Sequence, residues 1–351
     1  MKIFILLSRL HHGGAEVRTL QMIERVRKEF GCEFVVYLTS GEGGILEDEY
    51  KKIATVVIRD LNKPLLYDYL FNLKKHKPDT IHINANLASG IYCFLAKLVG
   101  FKNCFSQIRT SSDYSTSLSY RVKKPLFKFF TNKFSRKVIG VCNSVNNLTQ
   151  TPSEKWITVY NGFHSPVVSE SKNYKNNTIK LVMVGRLHQV KNHEYAFKVL
   201  AKLNNITDAK LYIYGDGEIE YKNRLLDYVN KYNVQSDVIF CGETKTPQIT
   251  ISKYDVLLLT STREGLPGVV IEAMSVGVPA ICSNLDGCLE ISNYSSSVNC
   301  LPISDDKIAN WCSWILNVKN KSNTHDTIRD FKLSPFNIDN HCKKIYKVWT
   351  S

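Results

Sequence analysis

The sequence of 351 residues lacks the patterns that identify several common classes of protein. It has no apolar stretch of about 18 residues, so no membrane-spanning helix is expected. The apolar run in its first residues, MKIFILLSRLHH, is too short for a signal peptide and no small-residue cleavage site follows it. Its ten cysteines include no C-x-x-C pair, which argues against a zinc site or a redox pair. These absences predict a cytoplasmic protein with buried, reduced cysteines.

Acidic residues are also scarce relative to basic ones. The chain has 46 Lys and Arg against 32 Asp and Glu, a formal net charge of +14. Residues 1–162 carry 24 basic and 13 acidic residues, whereas residues 163–351 carry 22 and 19. The excess in the first half fits an anionic partner, which could be nucleic acid, anionic lipid or a phosphorylated substrate. No nucleic-acid-binding signature accompanies the charge, so we expect no nucleic-acid partner.

The distribution of apolar residues predicts two α/β domains. Short apolar runs, such as KIFILL at 2–7 and IKLVMVG at 179–185, alternate with amphipathic helical patterns. Continuous apolar strands separated by helices indicate parallel sheets covered on both faces. We therefore expect two Rossmann-like, doubly wound domains that face a central cleft, where ligands bind in this class. The expected boundaries are 1–162 for the first domain, 163–178 for a linker, 179–334 for the second domain, and 335–351 for a helix that packs back on the first.

The segment REGLPGVVIEAMSVGVP at 263–279 places two carboxylates, Glu264 and Glu272, eight positions apart around the start of a helix. Pro267 suits the first helical turn, whose free N–H groups favour a phosphate. A carboxylate accepts hydrogen bonds from neighbouring sugar hydroxyls. At a helical rise of about 1.5 Å per residue the glutamates would lie roughly 12 Å apart, the reach from a sugar past a pyrophosphate to a ribose. The alternative is a capping glutamate and an ordinary helix-face glutamate.

Two cations follow the first strand of the second half. The segment GRLHQVKN at 185–192 brings Arg186 and Lys191 to the end of that strand, where they suit a diphosphate. The alternative is a solvated loop, in which Lys and Arg usually lie. The chain has no Asp-x-Asp pair to hold a divalent metal. We therefore expect the cations to neutralise the diphosphate, with no metal and no cofactor.

Two glycine-containing loops also suit a phosphate at the start of a helix. They are SRLHHGGAE at 8–16 and YGDGE at 214–218. Tight turns use Gly-Gly as well, and Asp216 fits a helix cap equally.

These motifs together resemble the family-4 retaining glycosyltransferases with the GT-B fold, of the type that builds bacterial polysaccharides. The resemblance covers nearly the whole chain. It rests on GGAE (13–16), NG (161–162), GRL…KN (185–192), GDGE (215–218), VIFCG (238–242), EGLPGVVIEAM (264–274) and GVP (277–279). It implies a metal-independent hexosyltransferase that retains the anomeric configuration. The donor would be a nucleotide sugar, with a UDP-sugar favoured, and the acceptor a glycan or lipid-linked glycan in capsule or lipopolysaccharide assembly.

The resemblance also implies roles for the matching residues. Arg186 and Lys191 would neutralise the leaving diphosphate, and Glu264 would bind the donor sugar; these three are the expected catalytic residues. The base would lie near Gly242, Glu243 and Thr244. The remaining donor-binding positions would be Gly14, Gly265, Leu266 and, at the ribose, Glu272.

One position departs from the family pattern. Many relatives have a histidine after the fifth strand of the first domain, where this chain has Arg109 in QIRTSSDYS. Arginine stays protonated at neutral pH and cannot act as a base. It can instead contact a phosphate, an anionic sugar or the acceptor. His82 is the other candidate contact in that domain, although a structural role is the more common one for a histidine on a strand.

The segment RVKKPLFKFFTNKFSRK at 121–137 has seven basic residues, four phenylalanines and no acidic residue. Phe127, Phe130 and Phe134 share a helical face. Either these rings pack in the core and the lysines are solvated, or the helix lies on anionic lipid, where each basic residue adds about 1 kcal/mol. The second interpretation would place the protein peripherally on the inner face of the cell membrane.

Two other classes of protein remain open at this point. A sugar-nucleotide epimerase of GT-B fold would convert its substrate without an acceptor. A non-catalytic protein would bind sugar nucleotide or membrane without turnover.

Overall fold

The computed structural model of the chain describes residues 1–11, 13–110, 118–166, 178–321 and 324–351. The chain divides into two compact units. The first unit comprises Met1–Gly162 together with Ile338–Ser351, and the second comprises Phe163–Asn337. Most of the expected linker, 163–178, lies outside the described residues. Phe163, which the sequence placed in that linker, belongs to the second unit, because its N–H donates to the carbonyl oxygen of Phe336 at 2.8 Å.

Each unit is built on one parallel sheet, which confirms the predicted α/β class with two Rossmann-like halves. The strands in chain order are β1 Lys2–Leu7, β2 Glu33–Leu38, β3 Thr55–Ile58, β4 Thr80–Ile83, β5 Cys104–Ile108, β6 Lys137–Gly140, β7 Trp156–Thr158, β8 Ile179–Val184, β9 Ala209–Tyr214, β10 Val238–Gly242, β11 Val256–Leu259, β12 Ala280–Ser283 and β13 Val298–Leu301. The first sheet has the order β3-β2-β1-β4-β5-β6-β7, and the second has the order β10-β9-β8-β11-β12-β13.

Helices cover both faces of each sheet. In chain order they are α1 Gly14–Phe30, α2 Glu47–Lys51, α3 Leu65–His76, α4 Ser89–Leu98, α5 Leu118–Phe134, α6 Asn146–Thr149, α7 His193–Asn204, α8 Ile219–Lys231, α9 Pro247–Ile251, α10 Gly268–Ser275, α11 Asp286–Ser292, α12 Ile308–Lys321, α13 Thr324–Leu333 and α14 Ile338–Thr350. Within the described ranges, we find no helix with the length and apolar character needed to cross a bilayer.

The first unit has a core on each side of its sheet, because successive side chains of a strand point to opposite faces. Phe4 and Leu6 of β1 pack against α3 and α4, with Phe134 of α5 at the margin of the same cluster. Ile3 and Ile5 face the opposite way, toward α1, α2 and α14. The C-terminal helix α14 is therefore part of the core of the unit that begins the chain.

The order of the second sheet determines which of its loops are neighbours. β8 pairs with β9 on one side and with β11 on the other, all parallel. The sheet order reverses at β8, and open α/β sheets bind ligands outside the carboxyl ends of the strands at such a point. The loops after β8 and β11 therefore lie side by side at the edge where a ligand is expected.

Candidate active site of the second unit

The two neighbouring loops bring Lys191 and Glu264 into direct contact. Lys191 Nζ lies 2.7 Å from Glu264 Oε1, and the two side chains are 23% and 16% exposed. Ser261 Oγ donates to the same carboxylate oxygen at 2.7 Å. The carboxylate is thus oriented by one cation and one hydroxyl, and the pair is open to solvent on one side.

The backbone around Lys191 is held by the loop that carries Glu264. Thr260 Oγ1 is 2.9 Å from the carbonyl oxygens of both Lys191 and Asn192. The N–H of Thr262 donates to the carbonyl oxygen of Val190 at 2.8 Å. These bonds join the two loops along their length, so the cation and the carboxylate are positioned by main chain as well as by their own contact.

Two features favour glycine at the end of β8. Gly185 has a φ of +152°, which side-chain-bearing residues rarely adopt. A Cβ at this position would also lie 3.2 Å from Lys191 Cε, so a side chain would crowd the lysine.

The loop after β9 packs directly beneath the loop after β8. A Cβ on Gly215 would lie 1.9 Å from the carbonyl oxygen of Gly185, and one on Gly217 would lie 2.1 Å from that of Leu187. The glycines of YGDGE are thus explained by close packing of two backbones. Asp216 does not cap α8; it forms an ion pair with Lys222, and that cation lowers the pKa of its carboxyl group.

The helix after Glu264 begins later than the sequence suggested. Pro267 is the N-cap residue and α10 starts at Gly268, with no side chain hydrogen-bonded to the cap. Glu264 is therefore four residues outside the helix, and helical rise does not set its separation from the partly buried Glu272. The first-turn N–H groups of α10 have no side-chain cap, which suits an anionic ligand.

A contact that the sequence did not reveal supports the loop before α10. A Cβ on Gly287, in α11, would lie 1.7 Å from the carbonyl oxygen of Gly265. The absence of a side chain at Gly287 lets α11 pack against the loop that carries Glu264, Gly265 and Leu266. In the sequence, the only indication of this packing is a glycine inside a short apolar segment.

Arg186 remains available to a ligand. Its side chain is exposed, and it has no hydrogen-bond or ion-pair partner within the described residues. A cation that is not neutralised by the protein, next to a Lys–Glu pair, is suited to a phosphate group.

The predicted base-binding segment lies at the end of β10. Gly242 has a φ of +71° and Glu243 is exposed, while the Oγ1 atoms of Thr244 and Thr250 are 2.7 Å apart. Beside Gly242 is a cavity of about 300 Å³ whose lining includes Leu187, Leu226 and Phe240.

His193 lies two residues after Lys191, and the sequence analysis did not select it. It is 1% exposed, and its Nδ1 is 3.2 Å from the hydroxyl of Tyr221. Burial, assisted by the neighbouring Lys191 cation, lowers the pKa of His193 to about 4. The imidazole is therefore neutral at physiological pH and adds no charge to the site.

Arg109, in the first unit, connects four separate segments. Its guanidinium donates to Asn84 Oδ1 at 3.1 Å, Asn161 Oδ1 at 3.2 Å, Thr19 Oγ1 at 3.1 Å and Gln107 Oε1 at 2.9 Å. Burial lowers its pKa to about 10, so it stays charged near neutrality. Four of its five N–H groups are thus used by the protein, which gives it a positioning role before any ligand is considered.

His82, the other predicted contact in this unit, is buried and makes structural contacts through both ring nitrogens. It is 1% exposed, with Nε2 2.9 Å from Gln107 Oε1 and Nδ1 3.1 Å from Trp349 Nε1. Because the indole can only donate, Nδ1 accepts and Nε2 carries the proton. Both ring nitrogens are satisfied, and burial lowers the pKa of His82 to about 4.

Gly14 is the first residue of α1 in the first unit, and a Cβ there would meet no atom within 4 Å. Within the described residues, no group of three or more His, Cys, Asp and Glu side chains is arranged to hold a metal ion.

The sequence is similar to those of known glycosyltransferases. Residues 167–323 match the family model described as "Glycosyl transferases group 1". The capsular polysaccharide biosynthesis glycosyltransferase CapH of Staphylococcus aureus is 28% identical over 303 residues, 84% of each chain. The UDP-Gal:alpha-D-GlcNAc-diphosphoundecaprenol alpha-1,3-galactosyltransferase of Escherichia coli is 27% identical over 281 residues, which is 71% of this chain and 72% of that protein.

Solved structures agree with this assignment at the level of the fold. HepE of Anabaena in complex with UDP superposes with a TM-score of 0.84 over 100% of both chains, at 17% identity. Its complex with UDP-glucose gives 0.79 at 18% identity, over 100% of this chain and 99% of that one. The chain therefore has the GT-B fold, and residues 167–323 within it match the group 1 glycosyltransferase model. These matches support a sugar-transferring enzyme, and the S. aureus relative is named for capsular polysaccharide biosynthesis.

Proposed function

We propose that the enzyme transfers a hexose from a UDP-sugar to a glycan or lipid-linked glycan, with retention of configuration and without a metal ion. The contact of Lys191 with Glu264 at 2.7 Å, beside the unneutralised Arg186, is the observation that carries this proposal. It places a cation suited to phosphate next to a carboxylate suited to sugar hydroxyls.

Different residues bind the different parts of the donor. Arg186 and Lys191 bind the diphosphate, and the N–H groups of Gly265 and Leu266 add hydrogen bonds near the uncapped start of α10. Glu264 accepts hydrogen bonds from the donor sugar. In the same proposal Glu272 accepts hydrogen bonds from the ribose, and the base lies by Gly242, Glu243 and Thr244.

The reaction needs no protein nucleophile in this proposal. The bond between sugar C1 and the β-phosphate oxygen breaks, and C1 forms a bond with an acceptor hydroxyl oxygen on the same face of the ring. The departing phosphate oxygen takes the hydroxyl proton, so the products are the glycosylated acceptor and UDP. Arg186 and Lys191 stabilise the negative charge that develops on the diphosphate, which is the role a metal ion would otherwise fill.

For a lipid-linked acceptor, α5 holds the enzyme at the membrane in this proposal. Phe130 and Phe134 pack against Phe94 with ring centroids 5.1 and 4.7 Å apart, but Leu126 and Phe129 are 53% and 52% exposed. The exposed apolar residues lie among basic ones, as in helices that bind anionic lipid. The matched E. coli enzyme is named for a diphosphoundecaprenol-linked acceptor, which supports the same class here.

The test combines donor binding with turnover. UDP at 100 times its Kd should stabilise the protein by about 2.7 kcal/mol in thermal unfolding. Arg186→Ala should reduce UDP release in the presence of acceptor by roughly 10²–10³-fold, the scale for losing one charge-stabilising group. Lys253→Ala, on the exposed surface of the same unit, is the matched control. Equal turnover in both variants would refute the assigned role, and conversion of a UDP-sugar without acceptor would indicate an epimerase.

A further inference from the structure

The two helical layers of the first unit differ in what they expose to solvent. Among the side chains that the structure describes, the layer formed by α3, α4 and α5 carries seven large apolar ones that are 44–73% exposed: Leu66, Tyr67, Phe71, Leu98, Val122, Leu126 and Phe129. On the other face of the sheet, α1, α2 and α14 carry none among the described residues. Among the described helices of the unit, the large exposed apolar side chains therefore lie on α3, α4 and α5, whereas Ile45 and Ile58 are exposed outside the helices.

Charge follows the same division. The segments of α3, α4 and α5 contain eight Lys and Arg and one acidic residue, whereas those of α1, α2 and α14 contain eight and seven. The single acid, Asp68, is 3% exposed and accepts a hydrogen bond from Tyr37 at 2.9 Å. The α3–α5 layer thus combines exposed apolar groups with an excess of basic over acidic residues, which is complementary to an anionic bilayer.

A large part of the apolar surface lies on α3, outside the basic segment 121–137. Leu66, Tyr67 and Phe71 are exposed on its first two turns, and Leu61 of the preceding loop is 62% exposed. The ammonium of Lys63 lies 5.5 Å from the centroid of the Phe71 ring and also forms an ion pair with Asp60 at 3.1 Å. A lysine beside exposed aromatic and aliphatic groups is the composition of a membrane-interface contact.

The position of α3 relative to α5 allows both to reach one planar surface. α4 packs between them, contacting each, and packed helices lie about 8–10 Å apart, so α3 and α5 are separated by roughly 20 Å. Crossover helices run antiparallel to their strands, so the exposed residues on the first turns of α3 and the first half of α5 both lie toward the carboxyl edge of the sheet. Two convex helices at this spacing match the flat surface of a bilayer better than they match one bound polypeptide segment.

We propose that α3 is a second membrane anchor, and that Leu66, Tyr67 and Phe71 enter an anionic bilayer together with Leu126 and Phe129 of α5. One helix would leave the unit free to rotate about its own axis on the surface. Two anchors fix that rotation and hold the carboxyl edge of the first sheet at the level of the headgroups. The anchor is separate from the chemistry, since it uses no residue assigned to the donor.

The test is vesicle flotation of the full chain. Leu66→Gln/Phe71→Gln should weaken partitioning onto phosphatidylglycerol vesicles about tenfold, because two half-exposed apolar side chains are lost from the interface. Ile206→Gln/Leu333→Gln removes two exposed apolar residues of the second unit and is the matched control. Equal partitioning of the two double variants would overturn the proposal, as would a change in oligomeric state of the α3 variant with unchanged vesicle binding.

A second measurement locates the contact directly. Tyr67→Trp should show a blue-shifted emission on phosphatidylglycerol vesicles, with quenching by brominated lipid, and neither effect on phosphatidylcholine vesicles. Because the chain has four native tryptophans, the signal is the difference between Tyr67→Trp and the native protein, and a difference that stays unquenched on bound protein would exclude insertion of α3. The UDP-induced rise in Tm should be unchanged in the α3 double variant, and Lys191→Ala should float like the native protein, so that failure of the anchor and failure of the proposed catalysis are distinguished.

Discussion

A double-mutant cycle on Lys191 and Glu264 separates a structural ion pair from a catalytic one. At 2.7 Å and an effective dielectric constant of about 20, the gross attraction is roughly 6 kcal/mol. The side chains are 23% and 16% exposed, so desolvation and solvent screening cancel most of that energy. We expect Lys191→Met to lower the free energy of unfolding by about 2 kcal/mol, which corresponds to a Tm lower by about 4–8 °C for a unit of this size.

The two roles differ in what the second substitution restores. Lys191→Met/Glu264→Gln removes both charges and should recover most of the lost stability. Its turnover should stay reduced by roughly 10²–10³-fold, as in Lys191→Met alone, because the cation at the leaving diphosphate is still missing. Thermal unfolding and UDP release, measured on the single and double variants, complete the cycle. Recovery of turnover together with stability would refute the catalytic role and leave a salt bridge that only supports the loops.

Three further outcomes follow from close packing and burial. Gly287→Ala should lower the free energy of unfolding by about 1–3 kcal/mol, because its Cβ would lie 1.7 Å from a carbonyl oxygen. An unchanged denaturant midpoint in chemical unfolding would contradict that contact. Arg109→Met should lower the free energy of unfolding by about 2–4 kcal/mol. Arg109→Lys should recover only part of it, because an ammonium cannot reach all four acceptors. Full recovery in Arg109→Lys would contradict the positioning role of the guanidinium. Burial lowers the pKa of three histidines, His82, His193 and His341, to about 4. Below about pH 6.5 the unfolded chain therefore binds more protons than the folded one, and the free energy of unfolding should fall between pH 6.5 and 4. Urea titrations should show a fall of up to about 4 kcal/mol per pH unit.

Much of the fold could be predicted because long apolar runs and amphipathic periods are local signals. The apolar run at 2–7 has the bounds of β1, and the run at 179–185 is one residue longer than β8. β7 and β13 were missed because WIT and VNCL are too short to show a period, and their strand character comes from pairing with β6 and β12.

The candidate site was predictable in its residues but not in its internal contacts. Arg186, Lys191 and Glu264 stand out from their residue types and from the turns around them. Their meeting depends on β8 pairing with β11, a pairing between strands separated by more than seventy residues, which no local pattern encodes. The same tertiary arrangement brings the Ser261 hydroxyl to Glu264 and packs Gly287 against the Gly265 carbonyl.

Segment 121–137 shows a different limit of sequence reasoning. The expected shared face of Phe127, Phe130 and Phe134 is partly buried, and the strongly exposed apolar positions on α5 are Val122, Leu126 and Phe129. Apolar residues surround this helix on most sides, so its sequence could not indicate which side faces α4.

Because α14 completes the core of the unit that starts the chain, synthesis and folding run in different orders. The second unit has been translated in full before Trp349, whose indole bonds to His82, is added to the chain. The half that is made first is therefore finished last. A nascent or truncated chain that ends before α14 would expose Ile3, Ile5 and the inner side of α1 to chaperones and proteases.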